Sequence, residues 1–186
     1  MLRTLQIRAD AVPQNINYIV ADAKKAEQFA SKLDTKKRKI GLVWSGNKQY
    51  LGDVLRSIDH KLFGALKNPS VQFVSLQKEY EPLELETLKN ELDILDFSAE
   101  LEDFSDTAAL ISSLDMVISV DTSVAHLAAT MGKPTWILLP LAADWRWGTG
   151  GETTPWYESV KLLRKGADEE WSDVLAKVAN SLNDKY

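Results

Sequence analysis

Apolar and polar positions alternate along this chain in blocks that predict strands and helices in turn. Two short runs, Met116 to Val120 and Thr135 to Leu139, are rich in apolar and β-branched residues, as expected for parallel strands buried on both faces. Between them, Val124, Leu127 and Met131 recur at helical spacing. This alternation is typical of βαβ units and predicts an α/β, three-layer domain with about six mostly parallel strands.

The same patterns predict the other elements and a division of the chain. Further strands are predicted at Ile40 to Trp44, Val71 to Leu76, Ile94 to Phe97 and Val160 to Leu163. Further helices are predicted at Val20 to Leu33, from Ser57 as N-cap to Leu66, Glu84 to Leu92, from Ser105 or Asp106 as N-cap to Leu114, and Glu170 to Leu182. Residues 1–38 do not fit this rhythm, so the α/β domain is predicted to occupy residues 39–186.

Polar residues crowd the junction between the strand predicted at Met116 to Val120 and the helix after it. Asp121, Thr122 and Ser123 lie at the carboxyl end of that strand, and His126 lies one turn into the helix. Ligands bind at this edge of open α/β sheets, and the free N–H groups of a first helical turn favour phosphate oxygens. Asp, Thr and Ser are also ordinary N-caps, so the pattern leaves a ligand role and a capping role equally open.

Composition narrows the class of protein. The 186 residues are 45% hydrophobic, enough for one sizeable core, and the net charge of −5 argues against a nucleic-acid partner. Without cysteine, disulfides, thiolate zinc sites and cysteine nucleophiles are excluded. No run approaches the roughly 18 apolar residues of a spanning helix. The sequence therefore predicts a cytoplasmic protein without a membrane span.

Several blocks of sequence resemble one family, in order along nearly the whole chain. The blocks are Ile40 to Asn47, Asp53-x-x-Arg56-Ser57-Ile58, Ser75-Leu76-Gln77, Asp103 to Ile111, Leu114 to Ala128, Gly132 to Trp147 and Pro155-Trp156-Tyr157. Together they resemble the carboxy-terminal domain of bacterial glycosyltransferases related to the heptosyltransferase family. That domain often follows tetratricopeptide repeats.

The resemblance implies one half of a GT-B enzyme, in which two Rossmann-like halves face each other and the carboxy-terminal half binds the nucleotide-sugar donor. Residues 1–38, with Pro13, would then be the interdomain arm and linker helix, and residues 39–186 the nucleotide-sugar-binding domain. The implied partners are a nucleoside diphosphate sugar and the acceptor domain and repeats of a longer chain. Without that acceptor domain, we expect no activity. The sequence does not identify the nucleobase, the sugar, the acceptor or the stereochemical outcome.

The chemistry of glycosyl transfer assigns roles to the matching residues. The leaving nucleoside diphosphate develops charge that preorganised donors must stabilise, and His126 and Arg56 are predicted to be catalytic in this way. The predicted nucleotide and phosphate contacts are Ser45, Gly46, Asn47, Gln77, Asp103, Phe104, Asp121, Thr122, Ser123 and Trp145. No Asp-x-Asp triplet occurs and the two histidines lie far apart in sequence, so neither a metal nor a cofactor is predicted.

Two alternatives belong to other classes. Val54 stands where family members tend to carry a second Arg, and Gly148 to Glu152 replaces bulkier residues, so a non-catalytic nucleotide-binding or protein-interaction module derived from the same fold stays open. A Rossmann oxidoreductase is disfavoured because the first clear strand ends in Ser45-Gly46-Asn47 and not in Gly-x-Gly-x-x-Gly.

Overall fold

A six-stranded, wholly parallel sheet forms the centre of the computed structural model, which describes residues 17–183. The strands are β1 Arg38–Val43, β2 Val71–Ser75, β3 Leu95–Asp96, β4 Met116–Val120, β5 Thr135–Leu139 and β6 Val160–Arg164. Their spatial order is β3-β2-β1-β4-β5-β6, with every neighbouring pair parallel. The predicted fold class is confirmed, and β4 and β5 have the predicted bounds.

Helices connect the strands. The α-helices are α1 Ala23–Ala30, α2 Asp53–Arg56, α3 Pro82–Leu92, α4 Phe104–Ser112, α5 Ser123–Thr130 and α6 Trp171–Asn183. Short 3-10 helices span His60–Leu66, Ser98–Glu100 and Trp145–Trp147. No helix within residues 17–183 combines the length and the apolar composition that crossing a bilayer requires.

Helices cover both faces of the sheet, which explains the apolar character of its central strands. On one face, Met116, Ile118 and Val120 of β4 join a cluster that includes side chains of α3 and α6. On the other face, Val117 packs with a cluster that includes residues of α1 and α4. All five β4 residues are buried, as expected for a strand sandwiched between two helical layers.

Two predicted N-caps differ from those in the structure. The segment after Ser57 is not an α-helix capped by that residue: the 3-10 helix begins at His60 with Asp59 as its N-cap, while the Ser57 hydroxyl bonds to Asp53. The N-cap of α4 is Asp103, so the prediction of Ser105 or Asp106 was wrong. Asp106 instead completes a capping box by accepting from the Asp103 amide.

The amino-terminal helix packs against the domain. Phe29 and Leu33 are buried in the same cluster as α4, and the Lys25 ammonium lies 2.6 Å from the Asp106 carboxylate. The predicted arm over residues 1–38 includes Pro13 and other residues outside the described range. Its division from the domain after residue 38 stays a prediction.

Candidate functional site

The chain reverses its direction of travel across the sheet between β1 and β4. These strands are neighbours, but β1 leads to β2 on one side and β4 leads to β5 on the other. Such a switch point opens a crevice beyond the carboxyl ends of the two strands, where open α/β sheets bind ligands. The crevice is bordered by the turn Ser45 to Asn47 after β1 and by Asp121 to Ser123 after β4.

The start of α5 presents hydrogen-bond donors to this crevice. Thr122 has extended backbone angles and caps the helix, its hydroxyl accepting from the Ala125 amide at 3.4 Å. The Ser119 hydroxyl lies 3.1 Å from the Thr122 hydroxyl and supports it from the sheet. First-turn amides of a helix have no partner within the helix, and its dipole places positive potential there. Thr122 thus caps its helix, and the amides that follow can still meet an anionic ligand.

The turn after β1 is fixed by side chains from two other elements. The Gln77 carbonyl oxygen accepts from the amides of Trp44 and Ser45, each at 3.2 Å, and its NH2 group donates to the Glu79 carbonyl. The Ser57 hydroxyl accepts from the Gly46 amide at 3.0 Å. The side chain of Gln77 therefore holds the backbone of the β1 turn in place at the edge of the crevice.

Arg56 is held by a network around the buried carboxylate of Asp53. Its Nε donates to Asp53 at 3.0 Å, and its Nη1 donates to the Asp121 carbonyl at 2.7 Å, joining the two sides of the crevice. The second Asp53 oxygen accepts from the Ser57 hydroxyl at 2.7 Å. The guanidinium carbon lies 5.2 Å from the centre of the Tyr50 ring, within the range of cation–π attraction. These contacts fix a cation at the edge of the sheet.

Gly46 is required by the space that Arg56 occupies. A β-carbon built on Gly46 would collide with the Arg56 guanidinium and with a carboxylate oxygen of Asp53. Its φ is not in the left-handed region, so backbone conformation does not demand glycine here. Glycine at this position therefore leaves room for the Arg56 guanidinium and the Asp53 carboxylate beside the β1 turn.

His126 lies in a small aromatic enclosure. Its Nδ1 is 2.9 Å from the Tyr157 hydroxyl, and its ring stacks on Trp147 with 5.1 Å between the ring centres. Nε2 lies 3.8 Å from a carboxylate oxygen of Asp121. Burial lowers the pKa of His126 below its usual 6.5, with Asp121 opposing that shift. The imidazole is therefore mainly neutral at pH 7, with one nitrogen able to donate and the other to accept.

Two adjoining cavities occupy the crevice. The larger, of about 920 Å³, lies over α5 and the segment after β5; the smaller, of about 480 Å³, lies between the β1 turn and the start of α4. Arg56, Thr122 and Ser123 line both. The carboxylate of Asp121 and the imidazole of His126 border only the larger one. A cation and a helix start thus stand where the two cavities meet.

Every residue predicted for the site lines one of these cavities. The larger cavity receives Arg56, Asp121, Thr122, Ser123, His126 and Trp145, and the smaller receives Ser45, Gly46, Asn47, Gln77, Asp103 and Phe104 together with the three shared residues. Their contact with a nucleotide stays a prediction. The Asp103 carboxylate already accepts from the amides of Ser105 and Asp106, so its first role is to cap α4.

The sequence did not predict the residues that hold the site residues in place. Asp53 and Ser57 hold Arg56 and Gly46, and Trp147 and Tyr157 enclose His126. The spacing of Asp53 and Arg56, one helical turn apart, could have indicated their ion pair. Tyr157 belongs to the block Pro155-Trp156-Tyr157 that resembles the family, but no local pattern linked it to His126, because the two residues lie in different segments. Within residues 17–183, no group of three or more acidic or histidine side chains is arranged to hold a metal ion.

The strand order and the crevice at its switch point define a Rossmann-like α/β domain. A family model for glycosyltransferase family 9 (heptosyltransferase) matches residues 19–173, so the chain belongs to this family. A curated relative, Protein FlbA of Caulobacter vibrioides, is 28% identical over 193 residues, a region that covers 98% of this chain and 32% of that protein. The chain therefore spans about a third of the length of this relative.

Solved structures share the fold. ADP-heptose LPS heptosyltransferase II of E. coli matches with a TM-score of 0.65 and 14% identity, over 96% of this chain and 56% of that one. Heptosyltransferase WaaC of E. coli, solved with ADP, matches with a TM-score of 0.58 and 16% identity, over 99% and 56%. A family 9 glycosyltransferase of Veillonella parvula gives 0.57 and 12%, over 98% and 49%. This chain thus corresponds to about half of each.

Proposed function

We propose that this domain binds a nucleoside diphosphate sugar and holds its diphosphate at the junction Asp121 to His126. The observation that carries the proposal is the position of Arg56, Thr122 and Ser123 where the two cavities meet. A sugar donor has two neutral ends joined by an anionic middle. A fixed cation and a helix start between two cavities match that pattern of charge.

The two cavities suggest a place for each end of the donor. The smaller has an exposed aromatic ring, Phe104, at its mouth, and also Ser45, whose buried hydroxyl has no hydrogen-bond partner among the described residues. These features favour a nucleoside, which offers a flat base and polar ribose groups. The larger cavity, with Asp121 and His126, then faces the sugar. The solved heptosyltransferase WaaC carries ADP, which supports the diphosphate as the shared ligand.

We further propose that the site works without a metal. The leaving diphosphate would be stabilised by the Arg56 guanidinium, the amides at the start of α5 and a neutral His126 donating through a ring N–H. Transfer also requires the acceptor to be held against the donor, a contribution of about 7–11 kcal/mol in favourable cases. We assign that task to an acceptor domain of a longer chain. Measurable glycosyl transfer by residues 1–186 alone would contradict this assignment.

The cytoplasmic location of the protein stays a prediction.

Thermal unfolding with a panel of nucleotides tests the proposal. At about a hundred times its dissociation constant a ligand stabilises by roughly 2.7 kcal/mol, which raises the melting temperature of a domain this size by about 5–10 °C. We expect this from at least one of ADP, GDP, UDP and CDP, unchanged by EDTA, and little effect from the matching nucleoside. A diphosphate that acts no better than its nucleoside would contradict the diphosphate site. A shift abolished by EDTA would contradict metal independence.

A further inference from the structure

The imidazole of His126 is held mainly by one loop, residues 140–159, between β5 and β6. Trp147, 2% exposed, stacks on the imidazole at an interplanar angle of 19°. Tyr157, from the far end of the same loop, places its hydroxyl 2.9 Å from Nδ1. The orientation of the histidine therefore depends on a segment that lies beyond the next strand in the chain.

The loop is fastened to the sheet, so Tyr157 is a fixed partner. Arg164 of β6 donates to the backbone carbonyls of Trp147, Gly148 and Gly151. The Leu162 amide of the same strand donates to the Glu152 carbonyl at 2.8 Å. These bonds to backbone carbonyls keep the middle of the loop in register with β6.

A side-chain bond closes the loop on itself. The Trp156 indole donates to the Arg146 carbonyl at 2.7 Å, which ties the residue before Tyr157 to the residue before Trp147. The two aromatic partners of His126 are therefore linked to each other as well as to β6.

The surroundings of the imidazole decide which nitrogen carries the proton. Nε2 faces the carboxylate of Asp121 at 3.8 Å, and a carboxylate can only accept, so a proton on Nε2 is favoured there. Nδ1 then has a lone pair and needs a donor, which the Tyr157 hydroxyl supplies. A hydroxyl can either donate or accept, so the Tyr157 hydroxyl alone does not decide which nitrogen of His126 carries the proton. The carboxylate of Asp121 decides it, because it favours the proton on Nε2.

We propose that Tyr157 is a positioning residue for His126: its hydroxyl donates to Nδ1 and so directs an Nε2–H donor into the larger cavity. This inference rests on the proposed function, because the group that would accept from Nε2 is an anionic oxygen of the bound diphosphate. The carboxylate of Asp121 fixes the proton on Nε2, and Trp147 fixes the plane of the ring. Tyr157 also lines the larger cavity, so a double-mutant cycle with His126 is needed to separate its effect through the histidine from a direct contact with the ligand.

Nitrogen NMR of the ligand-free protein tests the geometry directly. The chain has two histidines, so His126→Gln assigns the signals. Spectra are recorded at about pH 7.5, above the usual histidine pKa. In the wild type we expect Nε2 to carry the proton, and we expect the chemical shift of Nδ1 to show that it accepts a hydrogen bond. In Tyr157→Phe we expect the Nδ1 signal to move toward that of a nitrogen without a hydrogen bond. A protonated Nδ1 in the wild type, or an unchanged Nδ1 in the variant, would overturn the proposal.

A double-mutant cycle separates positioning from a general structural effect. Affinity is measured by calorimetry for whichever of ADP, GDP, UDP and CDP stabilises the wild type most. We expect Tyr157→Phe to weaken binding about three- to tenfold, in line with one neutral hydrogen bond, and to have less than about a twofold effect when His126 is already Ala. Equal losses in both backgrounds, or no loss, would refute positioning.

Tyr80→Phe is the matched control, because it removes a hydroxyl bonded to Asp96 and Ser98 away from both cavities. It is expected to leave affinity unchanged. If no diphosphate binds the wild type, the proposed function fails, and the NMR experiment still decides whether Tyr157 orients His126.

Discussion

Replacing Trp147 with Ala is expected to lower the free energy of unfolding by about 3–5 kcal/mol, the usual cost of removing a buried aromatic side chain. Trp147 is 2% exposed and packs in a cluster with Ile137, Leu139 and Leu162. Its loss would open a cavity between the sheet and the loop, and would remove the surface on which His126 stacks. Urea unfolding at about 25 °C, with the same denaturant slope for both proteins, measures this difference.

Trp145→Ala is the matched control, two residues away in the same 3-10 helix. Its side chain is 66% exposed, and exposed substitutions usually change stability by less than about 0.5 kcal/mol. The indole of Trp145 borders the larger cavity, so this variant tests ligand contact without disturbing the core. Equal destabilisation by the two substitutions would contradict the packing described for the loop.

Replacing Arg56 with Leu is expected to weaken nucleoside diphosphate binding by about 10- to 100-fold. Hydrogen bonds to a charged group contribute about 1.5–3 kcal/mol each, and tenfold in affinity corresponds to about 1.4 kcal/mol. Arg56→Lys should recover only part of the loss, because an ammonium cannot contact Asp53, the Asp121 carbonyl and a phosphate with one planar group. Calorimetric titration measures the affinity of each variant.

Gly46→Ala tests the same cation by displacing the Arg56 guanidinium instead of removing it. The added methyl would meet the Arg56 guanidinium and a carboxylate oxygen of Asp53, both at the ends of side chains that can shift, so we expect the protein to fold and to bind more weakly. Gly150→Ala is the control, since a β-carbon there would meet no atom within 4 Å. Wild-type affinity in Arg56→Leu and in Gly46→Ala would remove Arg56 from the diphosphate site.

Much of the fold was predictable because the central strands carry their own signal. β4 and β5 are short apolar runs between turn residues, and strands buried on both faces need that composition. The segment after Ser57 was misassigned because its apolar spacing suits a helix, while the Ser57 hydroxyl serves Asp53 and Gly46 instead of capping. A competing use of a side chain in the tertiary structure is not visible in local sequence.

The candidate site also has one part that was predictable from local sequence and another part that was not. The junction Asp121 to His126 was predictable because a strand end and a helix start are adjacent in the chain. The partners of His126 come from residues 140–159, and the side chain of Gln77 bonds the β1 turn. Such contacts depend on how strands are ordered in the sheet, so only motifs taken from a family could point to them.

Backbone amide NMR during a nucleotide titration tests whether the diphosphate binds at the start of α5. The domain is titrated with the diphosphate that stabilises it most, and amides of α6 serve as the reference distant from the crevice. We expect saturable shifts, with one dissociation constant, at Gly46 and at Thr122 to His126, while the α6 amides stay unchanged. Saturable binding that leaves Thr122 to His126 unmoved, or no saturable shift with any nucleoside diphosphate, would contradict a diphosphate site at the start of α5.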